Sequence, residues 1–451
     1  MPVTKFKIFN LSQAKPMMAA QIQQMDLKAK PHIFRIEIKI KPIDALDWLD
    51  AQGSIVKIYG ANQDNSAAIA GISEAWVLKG EAIGSFASVF KQMRQYLSPQ
   101  YPYLQWYGGF CFDEAYADRD WKEFGAYRFV LPRFELARDK DKMIFCCNLI
   151  GPLSEAQRKV ILRELDAIVL PVKSGADVLK AQARRDKPSS SQWELNVAQV
   201  LKAIDQERYS KVVLARKTVL TFSKPLNPFT IFRQLHQVTP NSYHFCFQFG
   251  KTTFLGASPE RLYKRQGRMV LSEAIAGTSR RGKTTLEDKV FKDSLMASVK
   301  DNNEHQFVVD AIDSQLSPLC VNLQHEAKPE VISLNNGHHL ITPFTGQLKD
   351  GIKDEDILKS LHPTPAVAGT PRKKAMAVIR RLESFSRGWY AGPLGYVGLD
   401  WAEFVVGIRS GFVNGNTLSV YAGAGIVKGS QSFSEWDEIE NKISNFIKVI
   451  K

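Results

Sequence analysis

The sequence predicts an α+β fold built mostly from antiparallel sheet, and three observations support this prediction. First, short turns separate strand-like runs, and the strongest of these hairpin signals is Asn414–Gly415, between Phe404–Val413 and Thr417–Ala422. Second, helices with recognisable N-cap residues alternate with the hairpins. Third, the sequence lacks the regular strand–helix–strand rhythm of a doubly wound sheet, and it lacks any repeat with a period of roughly 20–50 residues.

The beginning of the chain is predicted to mix strands with short helices. Alternating apolar residues predict a strand at Ile33–Ile40, and β-branched residues favour another at Val56–Tyr59. Leu46 and Trp48–Leu49 suggest a short helix within Pro42–Gln52. Helical spacing of apolar residues predicts a helix at Ala82–Leu97, and Leu104–Phe112 is predicted to form the next strand.

Two further strands are predicted at Phe129–Leu136 and Met143–Leu149, and a weak boundary between two parts of the chain is predicted after them. The segment Ser174–Ser191 is rich in Lys, Arg, Ala and Ser, which is typical of a linker. It divides a β-rich N-terminal part, residues 1–190, from residues 191–451, which carry every chemical motif described below.

The second part again alternates helices and hairpins. Ser191 and Glu194 form a predicted capping box for a helix that leads into a strand from Lys211 to Phe222. Two hairpins follow, one joining Ser242–Phe249 to Thr252–Gly256 and one within Leu262–Leu271. Thr284 is then predicted to cap one long helix that continues to about Gln315, and Ser434 to cap the final helix.

Composition restricts the class of protein. The chain has 451 residues, 44% of them hydrophobic, and a net charge of +14, which suggests affinity for anions. The basic residues are spread along the chain without any nucleic-acid-binding motif, so no nucleic-acid partner is predicted. The five cysteines lie mostly in apolar runs and form no CxxC pattern, which predicts free thiols in a reducing compartment. The chain start is a poor signal peptide and no apolar run could span a membrane, so we predict a cytoplasmic protein.

The final helix carries a candidate metal site. At about 100° per residue, Glu435, Glu438 and Lys442 fall within roughly 60° of one another on a helix. This stripe borders the apolar face and lies away from the solvent side. Two carboxylates at this spacing repel each other unless a cation such as Mg²⁺ lies between them. The alternative is a surface pair whose repulsion Lys442 relieves, and for Glu304 on the preceding long helix a solvated position is the usual interpretation.

Lys211 and Glu260 are candidates for proton transfer. A lysine that opens a strand is usually solvated, but burial near other charges would lower its pKa and free an amine to act as a base. Glu260 follows a proline at a strand end, where an apolar pocket would raise its pKa and suit a general acid. One base and one acid in different environments is the pattern that acid–base catalysis requires.

Arg409 is predicted to face an anion because it follows the apolar run Val405–Ile408. A salt bridge to a neighbouring strand is an equally good explanation. A two-residue loop at Asn414–Gly415 would place Arg409 opposite Val420, and a three-residue loop would place it opposite Tyr421. If Arg409 and Tyr421 contact one ligand, the longer loop is predicted.

Several runs occur together in a fixed order from about Tyr209 to the C-terminus. They are Lys211–Arg216, Gly256–Glu260, Ala276–Thr278, Lys300–His305, Leu361–Ala366, Ile408–Arg409, Tyr421–Gly425 and Glu435–Lys442. The set resembles the chorismate-utilising enzymes, a family that includes isochorismate, anthranilate, salicylate and aminodeoxychorismate synthases. The resemblance implies two large antiparallel sheets packed together with helices outside. It also implies that residues 1–451 form a single domain, in spite of the linker-like segment.

The resemblance also assigns roles to the residues of these runs. The implied Mg²⁺ ligands, which would grip the ring carboxylate of chorismate, are Glu304, Glu438 and, directly or through water, Glu435. The implied substrate-binding residues are Arg409, Tyr421, Lys442, His362 and, through backbone N–H groups, Gly277, Thr278 and Gly425.

The members of the family differ in their nucleophile and in the residue that activates it. Anthranilate synthases use ammonia from a glutaminase partner and typically lack a lysine at the position of Lys211, and no glutaminase domain or Leu-Leu-Glu-Ser motif occurs here. The Ser272–Ala274 run resembles isochorismate synthases of menaquinone biosynthesis. The expected reaction is therefore reversible: Lys211 takes a proton from water that attacks C2 of chorismate, and Glu260 protonates the departing C4 hydroxyl.

Three alternatives remain open at this point. A salicylate synthase would share the lysine and then eliminate pyruvate. An isochorismate synthase of siderophore biosynthesis would catalyse the same step in another pathway. A non-catalytic anion-binding relative would lack one of the residues to which the resemblance assigns the chemistry, but the sequence retains them all. The resemblance also implies a monomer without a glutaminase subunit.

Overall fold

Antiparallel strands form most of the regular structure in this computed structural model, which describes residues 8–25, 33–115, 119–171, 179–334 and 337–450. The α-helices are α1 (Leu11–Gln24), α2 (Ala45–Ala51), α3 (Phe86–Arg94), α4 (Glu155–Asp166), α5 (Ser190–Asp205), α6 (Pro228–Val238), α7 (Thr285–Ala297), α8 (Val299–Leu316), α9 (Asp354–Leu361), α10 (Arg372–Leu382) and α11 (Ser432–Lys448). In this part of the chain, no helix combines the length and the apolar character needed to cross a membrane.

The strands extend over nearly the whole chain. Those of the first half are β1 (Ile33–Ile40), β2 (Val56–Ala61), β3 (Ala67–Gly80), β4 (Trp106–Phe110), β5 (Tyr127–Asp139), β6 (Lys142–Ile150), β7 (Ala183–Lys187), β8 (Lys211–Thr221), β9 (Tyr243–Phe249) and β10 (Thr252–Ser258). Those of the second half are β11 (Arg261–Gln266), β12 (Met269–Ser279), β13 (Cys320–His325), β14 (Glu330–Leu334), β15 (Gly337–Leu348), β16 (Gly369–Thr370), β17 (Pro393–Val397), β18 (Trp401–Val406), β19 (Ser410–Asn414) and β20 (Thr417–Ile426).

The strands form two large antiparallel sheets. In the first sheet the order is β1, β6, β5, β3, β2, β9, β10, β19, β20 and β8, with the short strands β7 and β16 on the remaining edge of β8. In the second sheet the order is β4, β17, β18, β11, β12 and β15, with β13 and β14 on the far edge of β15. The predicted fold class is confirmed.

The two sheets are joined through one long strand. The N-terminal part of β5 pairs with β4, while its C-terminal part pairs with β6, so β5 belongs to both sheets. Its other neighbour, β3, carries a register shift between Glu74 and Trp76 that accompanies the change of sheet. Buried apolar residues of both sheets belong to one hydrophobic core.

Strands from the two parts of the chain pair with each other. In the first sheet β2 pairs with β9 and β7 pairs with β8, and in the second sheet β4 pairs with β17. Residues 179–191 of the linker-like segment contain the strand β7 and the start of α5. Residues 174–178 lie outside the described residues. We propose that 1–451 is a single domain because neither part could keep its sheet without the other.

Two helix predictions were wrong in detail. The long helix expected from Thr284 to Gln315 is two helices, because Ser298 has an extended backbone and its side chain accepts a hydrogen bond from Asp301 N at 3.2 Å, which starts α8. The expected cap Ser191 lies inside α5, whose N-cap is Ser189.

Other element predictions also needed correction. The final helix starts at Ser432 after the N-cap Gln431, before the predicted cap Ser434. The long strand Ala67–Gly80 was not predicted from the sequence. The Thr284 cap is confirmed, with its side chain accepting from Glu287 N at 3.2 Å.

The hairpin near residue 415 exists, but both predicted registers were wrong. Asn414 pairs with Thr417, so the two-residue loop is Gly415–Asn416. Strand β19 begins only at Ser410, which lies opposite Tyr421. Arg409 consequently stands outside the ladder and opposes neither Val420 nor Tyr421 in it.

Candidate active site

A cavity of about 280 Å³ lies where β8, β12 and β20 meet α8 and α11. Its charged lining residues are Lys211, Glu260, Lys300, Asp301, Glu304, Arg409, Glu435, Glu438 and Lys442. Oppositely charged groups therefore converge on one cavity, and these residues come from segments spread along the chain from β8 to α11. Such a concave site with convergent polar groups is the usual form of a small-molecule site.

Lys211 lies at the start of β8, held there by pairing with β16 and β20. Its side chain is 1% exposed, and Nζ donates a hydrogen bond to Glu304 Oε1 of α8 at 3.0 Å. The sequence predicted a base at this position, and the fold places its amine at the cavity wall. Glu304 supplies the hydrogen-bond acceptor that this buried side chain needs and that the strand itself lacks.

Gly425 on β20 makes room for this ion pair. A Cβ atom at residue 425 would lie 2.9 Å from Lys211 Cε and 3.1 Å from Glu304 Oε1. Both distances are shorter than ordinary van der Waals contacts, so any side chain here would displace the lysine or the glutamate. Gly425 thus lines the cavity as predicted, and it allows Lys211 and Glu304 to meet.

Glu260 is buried between β10 and β11, at the cavity wall. Ser258 Oγ donates to Val406 O at 2.7 Å and accepts from Glu260 N at 3.2 Å, which fixes the turn that carries the carboxyl group. Burial and, after it, the charge of Glu273 raise the pKa of Glu260 to about 8, against the opposing effect of nearby lysines. Glu260 is consequently protonated at neutral pH and can donate a proton.

The last helix presents its acidic stripe to the cavity, as its helical spacing predicted. Glu435 is 3% exposed, and Glu438 contacts Lys442, whose Nζ also donates to Gly423 O at 3.0 Å. Burial and Glu438 raise the pKa of Glu435. Burial alone would also raise the pKa of Glu438, but the adjacent Lys442 holds it below its usual value. The two carboxylates therefore repel each other inside the cavity.

The three glutamates predicted as metal ligands line the same cavity, and each is matched with a lysine. Lys211 contacts Glu304, Lys442 contacts Glu438, and Lys300 Nζ lies 3.7 Å from Glu435 Oε1. Glu438 and Glu304 both contribute to the raised pKa of Glu435, a repulsion that a divalent cation would relieve. Oxygen donors of this kind fit Mg²⁺, although the carboxylates in the described ranges are not drawn together into a ready-made metal centre.

Arg409 is a cation that the neighbouring side chains leave available to a ligand. Strand β18 ends at Val406, and Arg409 has a left-handed backbone with φ of +51°, an uncommon conformation for a residue other than glycine. In the part of the chain that the structure describes, its guanidinium makes no hydrogen bond or ion pair. Burial lowers its pKa to about 10, with Glu438 and Tyr390 opposing that effect. An anionic ligand would satisfy this group, so the salt-bridge alternative is not favoured.

A bulge in β12 brings Gly277 and Thr278 to the cavity. The register with β15 shifts between Ala276 and Thr278, and Gly277 has φ of +73°. Thr278 Oγ1 lies 3.1 Å from Nδ1 of His339 on β15. Burial and the cationic Arg409 hold the pKa of His339 down, to about 3, so its ring is neutral.

His339 and Tyr390 line the cavity but were not found by sequence reasoning. His339 arrives there through the pairing of β12 with β15, and Tyr390 lies in the segment between α10 and β17. Neither residue lies in a recognisable local pattern. The register of β12 with β15, which no sequence signal fixes, would have been needed to find the histidine.

Two predicted substrate-binding residues do not line the cavity. Tyr421 is buried and stacks on Tyr390, with ring centroids 5.3 Å apart and an angle of 19° between the rings, so Tyr390 forms the wall in front of it. His362 instead lines a separate groove with Pro363, and its Nε2 lies 3.2 Å from Phe112 O. The positions of β20 that line the cavity are Ala422, Gly423 and Gly425, and the part of the Leu361–Ala366 run that lines it is its end at Ala366.

Comparison with known proteins agrees with this geometry. A family model described as "Chorismate binding enzyme" matches residues 20–451. Isochorismate synthase 2, chloroplastic, from Arabidopsis thaliana is 31% identical, covering 94% of this chain and 83% of that protein. Isochorismate synthase MenF from Escherichia coli is 32% identical, covering 92% of this chain and 94% of that protein.

A solved structure described as MenF, the menaquinone-specific isochorismate synthase from Escherichia coli, superposes with a TM-score of 0.89. The superposition covers 98% of this chain and 100% of that chain at 29% identity. The likeness therefore extends over both sheets, including the β-rich N-terminal part that carries no motif.

Proposed function

Because the chain belongs to the family of chorismate binding enzymes, we propose that it acts as an isochorismate synthase, converting chorismate reversibly into isochorismate. The observation that carries this proposal is that Lys211 and Glu260, a base candidate and a protonated acid, line one cavity with the cation Arg409. The names of the relatives from Arabidopsis thaliana and Escherichia coli support the same activity.

In the proposed reaction two proton transfers accompany one substitution. Lys211 removes a proton from a water molecule as that water forms a bond to C2 of chorismate. The ring double bonds shift, the bond from C4 to its hydroxyl breaks, and Glu260 supplies the proton with which that hydroxyl leaves as water. A forward turnover leaves Lys211 with an added proton and Glu260 without its proton, so each exchanges a proton with solvent before the next forward turnover. In the reverse reaction Glu260 is the base and Lys211 is the acid.

The cations and N–H groups of the cavity are proposed to bind the substrate carboxylates. The planar guanidinium of Arg409 suits bidentate recognition of a carboxylate, and Lys442 adds a second basic group to the cavity lining. Backbone N–H groups near Gly277, Thr278 and Gly425 would complete the oxygen shell. Tyr421 and His362 are left out of this set because neither lines the cavity.

Glu304, Glu435 and Glu438 are proposed to hold Mg²⁺. The ion would neutralise a substrate carboxylate and stabilise the charge that develops during the reaction. Each of these carboxylates now pairs with a lysine, so Lys300 and Lys442 would have to give up part of their contact with Glu435 and Glu438. Glu304 would remain next to Lys211, which keeps the base beside the site of the reaction.

Water is favoured over ammonia as the nucleophile. Lys211 is available as a base for water, so no glutaminase subunit is required, and we propose that the protein works as a monomer. Menaquinone biosynthesis is the proposed pathway because of the relatives named MenF. Five buried free cysteines fit a reducing compartment, which supports a cytoplasmic location.

Product analysis tests the proposed function and its metal requirement. We expect purified protein with chorismate and Mg²⁺ to form isochorismate up to a stable ratio, with no change when ammonium is added. Chelation by EDTA should abolish the reaction and Mg²⁺ should restore it, because the carboxylates of α8 and α11 then lose their divalent partner. Chromatography of the products is the measurement.

Each other outcome of this experiment has a definite meaning. Salicylate with pyruvate would identify a salicylate synthase, and an aminated product would contradict the role of Lys211. Chorismate that is bound but left unchanged would identify a non-catalytic relative. Activity that survives EDTA would contradict the metal assignment alone.

The substitution Gly425→Ala tests whether the contact of Lys211 with Glu304 matters for catalysis. The added methyl group would collide with both side chains. We expect the turnover rate to fall by about 10²-fold, since a shift of about 1 Å in a catalytic group has an effect of this size. Gly53→Ala is the matched control, because a Cβ there would have no atom within 4 Å. Equal turnover of the two variants would contradict the assignment.

A further inference from the structure

A buried charge cluster lies directly behind Glu260. Its members, named here the Arg261 cluster, are Arg261, Glu273, Glu403, Tyr243 and Tyr396. The guanidinium donates to Glu273 Oε1 at 2.7 Å, to Glu403 Oε1 at 2.9 Å and to the Tyr243 hydroxyl at 2.5 Å. None of these residues lines the cavity, so the mechanism above does not use them.

The cluster is fixed in position relative to the proposed acid. Glu260 and Arg261 are consecutive, Glu260 O accepts from Val406 N at 3.1 Å, and Arg261 pairs with Val405 in the ladder between β11 and β18. Strand β12 carries Glu273 and, two residues later, the cavity-lining residue Ile275. Glu260 and the Arg261 cluster therefore share a rigid junction of three strands.

The cluster holds two carboxyl groups and a single basic group, Arg261. Arg261 donates to both carboxyl groups, and the second oxygen of Glu403 accepts from Tyr396 at 2.5 Å. Burial raises the pKa of Glu273, and the charge of Arg261 opposes that effect. The side chains of Glu273 and Glu403 are only 10% and 6% exposed, so water screens charge in the cluster weakly.

Charged groups reach Glu260 from three sides. Glu273 on β12 disfavours its ionised form, whereas Lys211 on β8 and Lys442 on α11 favour it. Burial is the largest cause of the raised pKa of Glu260, and Glu273 is the next. Without Glu273, two lysines would act on a buried carboxyl group with no opposing charge of comparable effect.

We propose that Glu273, held by Arg261, is a positioning residue that keeps the proton on Glu260 while the two lysines of the cavity favour its release. This inference rests on the proposed function, since it explains how an acid can coexist with Lys211 and Lys442. It assigns a role in catalysis to a residue that contacts neither substrate nor metal.

The isosteric substitution Glu273→Gln tests the inference. The amide oxygen can still accept from Arg261, so the change removes the charge and preserves the shape. We expect the midpoint at which Glu260 loses its proton to fall by about one pH unit. This midpoint is measured by NMR of protein with ¹³C-labelled glutamate carboxyl groups, and the Glu260 signal is identified by its absence in Glu260→Gln.

Enzyme kinetics give a second readout. The decline of kcat at alkaline pH should move towards acid by the same amount in Glu273→Gln, because the acid is lost earlier. A purely structural role would lower kcat at every pH without moving the decline. Glu355→Gln is the matched control, since Glu355 is likewise held by an arginine, Arg94, at 2.7 Å, but lies outside the cavity and the cluster. It should leave both readouts unchanged.

The possible outcomes separate this inference from the proposed function. An unchanged NMR midpoint in folded Glu273→Gln would overturn the inference, whatever the protein does with chorismate. A shifted midpoint in a protein that does not convert chorismate would support the electrostatic role of Glu273 and refute the proposed function. If Glu273→Gln does not fold, Glu273→Thr removes the same charge with a residue that favours strands and should shift the midpoint in the same direction.

Discussion

Replacing Lys211 by alanine is expected to lower the rate of isochorismate formation by about 10³-fold, the typical contribution of a positioned general base. Lys211 is the first residue of β8, and its side chain is almost fully shielded from bulk water. A methyl side chain cannot accept a proton, and the other lysines of the cavity lie beside Glu435 and Glu438 and not beside Glu304. Measurement of kcat by chromatography of isochorismate checks this expectation.

The effect should fall on the chemical step and spare substrate binding. Arg409 and Lys442 remain in Lys211→Ala, so we expect chorismate to bind to the variant, which isothermal titration calorimetry can measure. Lys217→Ala is the matched control: Lys217 is on the same strand and is also buried, in a salt bridge at 2.8 Å to Asp120, but lies outside the cavity. A rate for Lys211→Ala within twofold of this control would show that another group activates the water.

Several charged residues of the cavity could be predicted from the sequence because each departs from its local pattern, whereas Glu304 fitted a solvated position and was assigned only through the resemblance. Arg409 follows an apolar run, Lys211 opens a strand of β-branched residues, and Glu435 and Glu438 share one face of an otherwise amphipathic helix. A charge in such a position needs a partner, and the local pattern of residues is enough to reveal that need. The fold class was predictable for a similar reason, since turn signals such as Asn414–Gly415 mark antiparallel pairs.

The errors arose where the side-chain direction depends on long-range register. The left-handed conformation of Arg409 interrupts the strand. The loop Gly415–Asn416 pairs Ser410 with Tyr421, whose ring lies behind Tyr390. A single-residue change of register reverses the face of every following residue, and no local signal reports it. The prediction for His362 was wrong for a related reason. The chain runs from a separate groove at His362 to the cavity at Ala366, only four residues later.

Lysine–glutamate pairs organise the charges of the cavity. Glu304, Glu435 and Glu438 each contact one lysine, which offsets the repulsion among three carboxylates around one enclosed space. A ligand that brings its own negative carboxylates together with a divalent cation would exchange these pairs for new ones with little change in net charge. The cavity can therefore hold many charges while remaining folded. Glu260 keeps its proton for a different reason, because burial and then Glu273 raise its pKa against the effect of Lys211 and Lys442.

The substitution Glu260→Gln is expected to reduce kcat by about 10²-fold to 10⁴-fold, the range for loss of a general acid. The amide matches the carboxyl group in shape but has no proton to give to the departing hydroxyl. In the wild-type protein the acid is present below its pKa of about 8, so kcat should fall as the pH rises through this value. In Glu260→Gln the same alkaline decline should be missing from the residual activity, and a pH profile of kcat measures both effects.

Stability provides the control that separates a lost acid from a damaged fold. The folded-state pKa of Glu260, about 8, exceeds its ordinary value of 4.5, so between these pH values only the folded protein binds this proton. The stability that this carboxyl group contributes is thus fully present below about pH 4.5 and is lost as the pH rises through about 8. Glutamine does not ionise, so Glu260→Gln should melt at or above the wild-type temperature at pH 8. Glu164→Gln, which changes a carboxyl group on α4 whose pKa burial also raises, should keep full activity. An alkaline decline that persists in Glu260→Gln would assign the acid to a different residue.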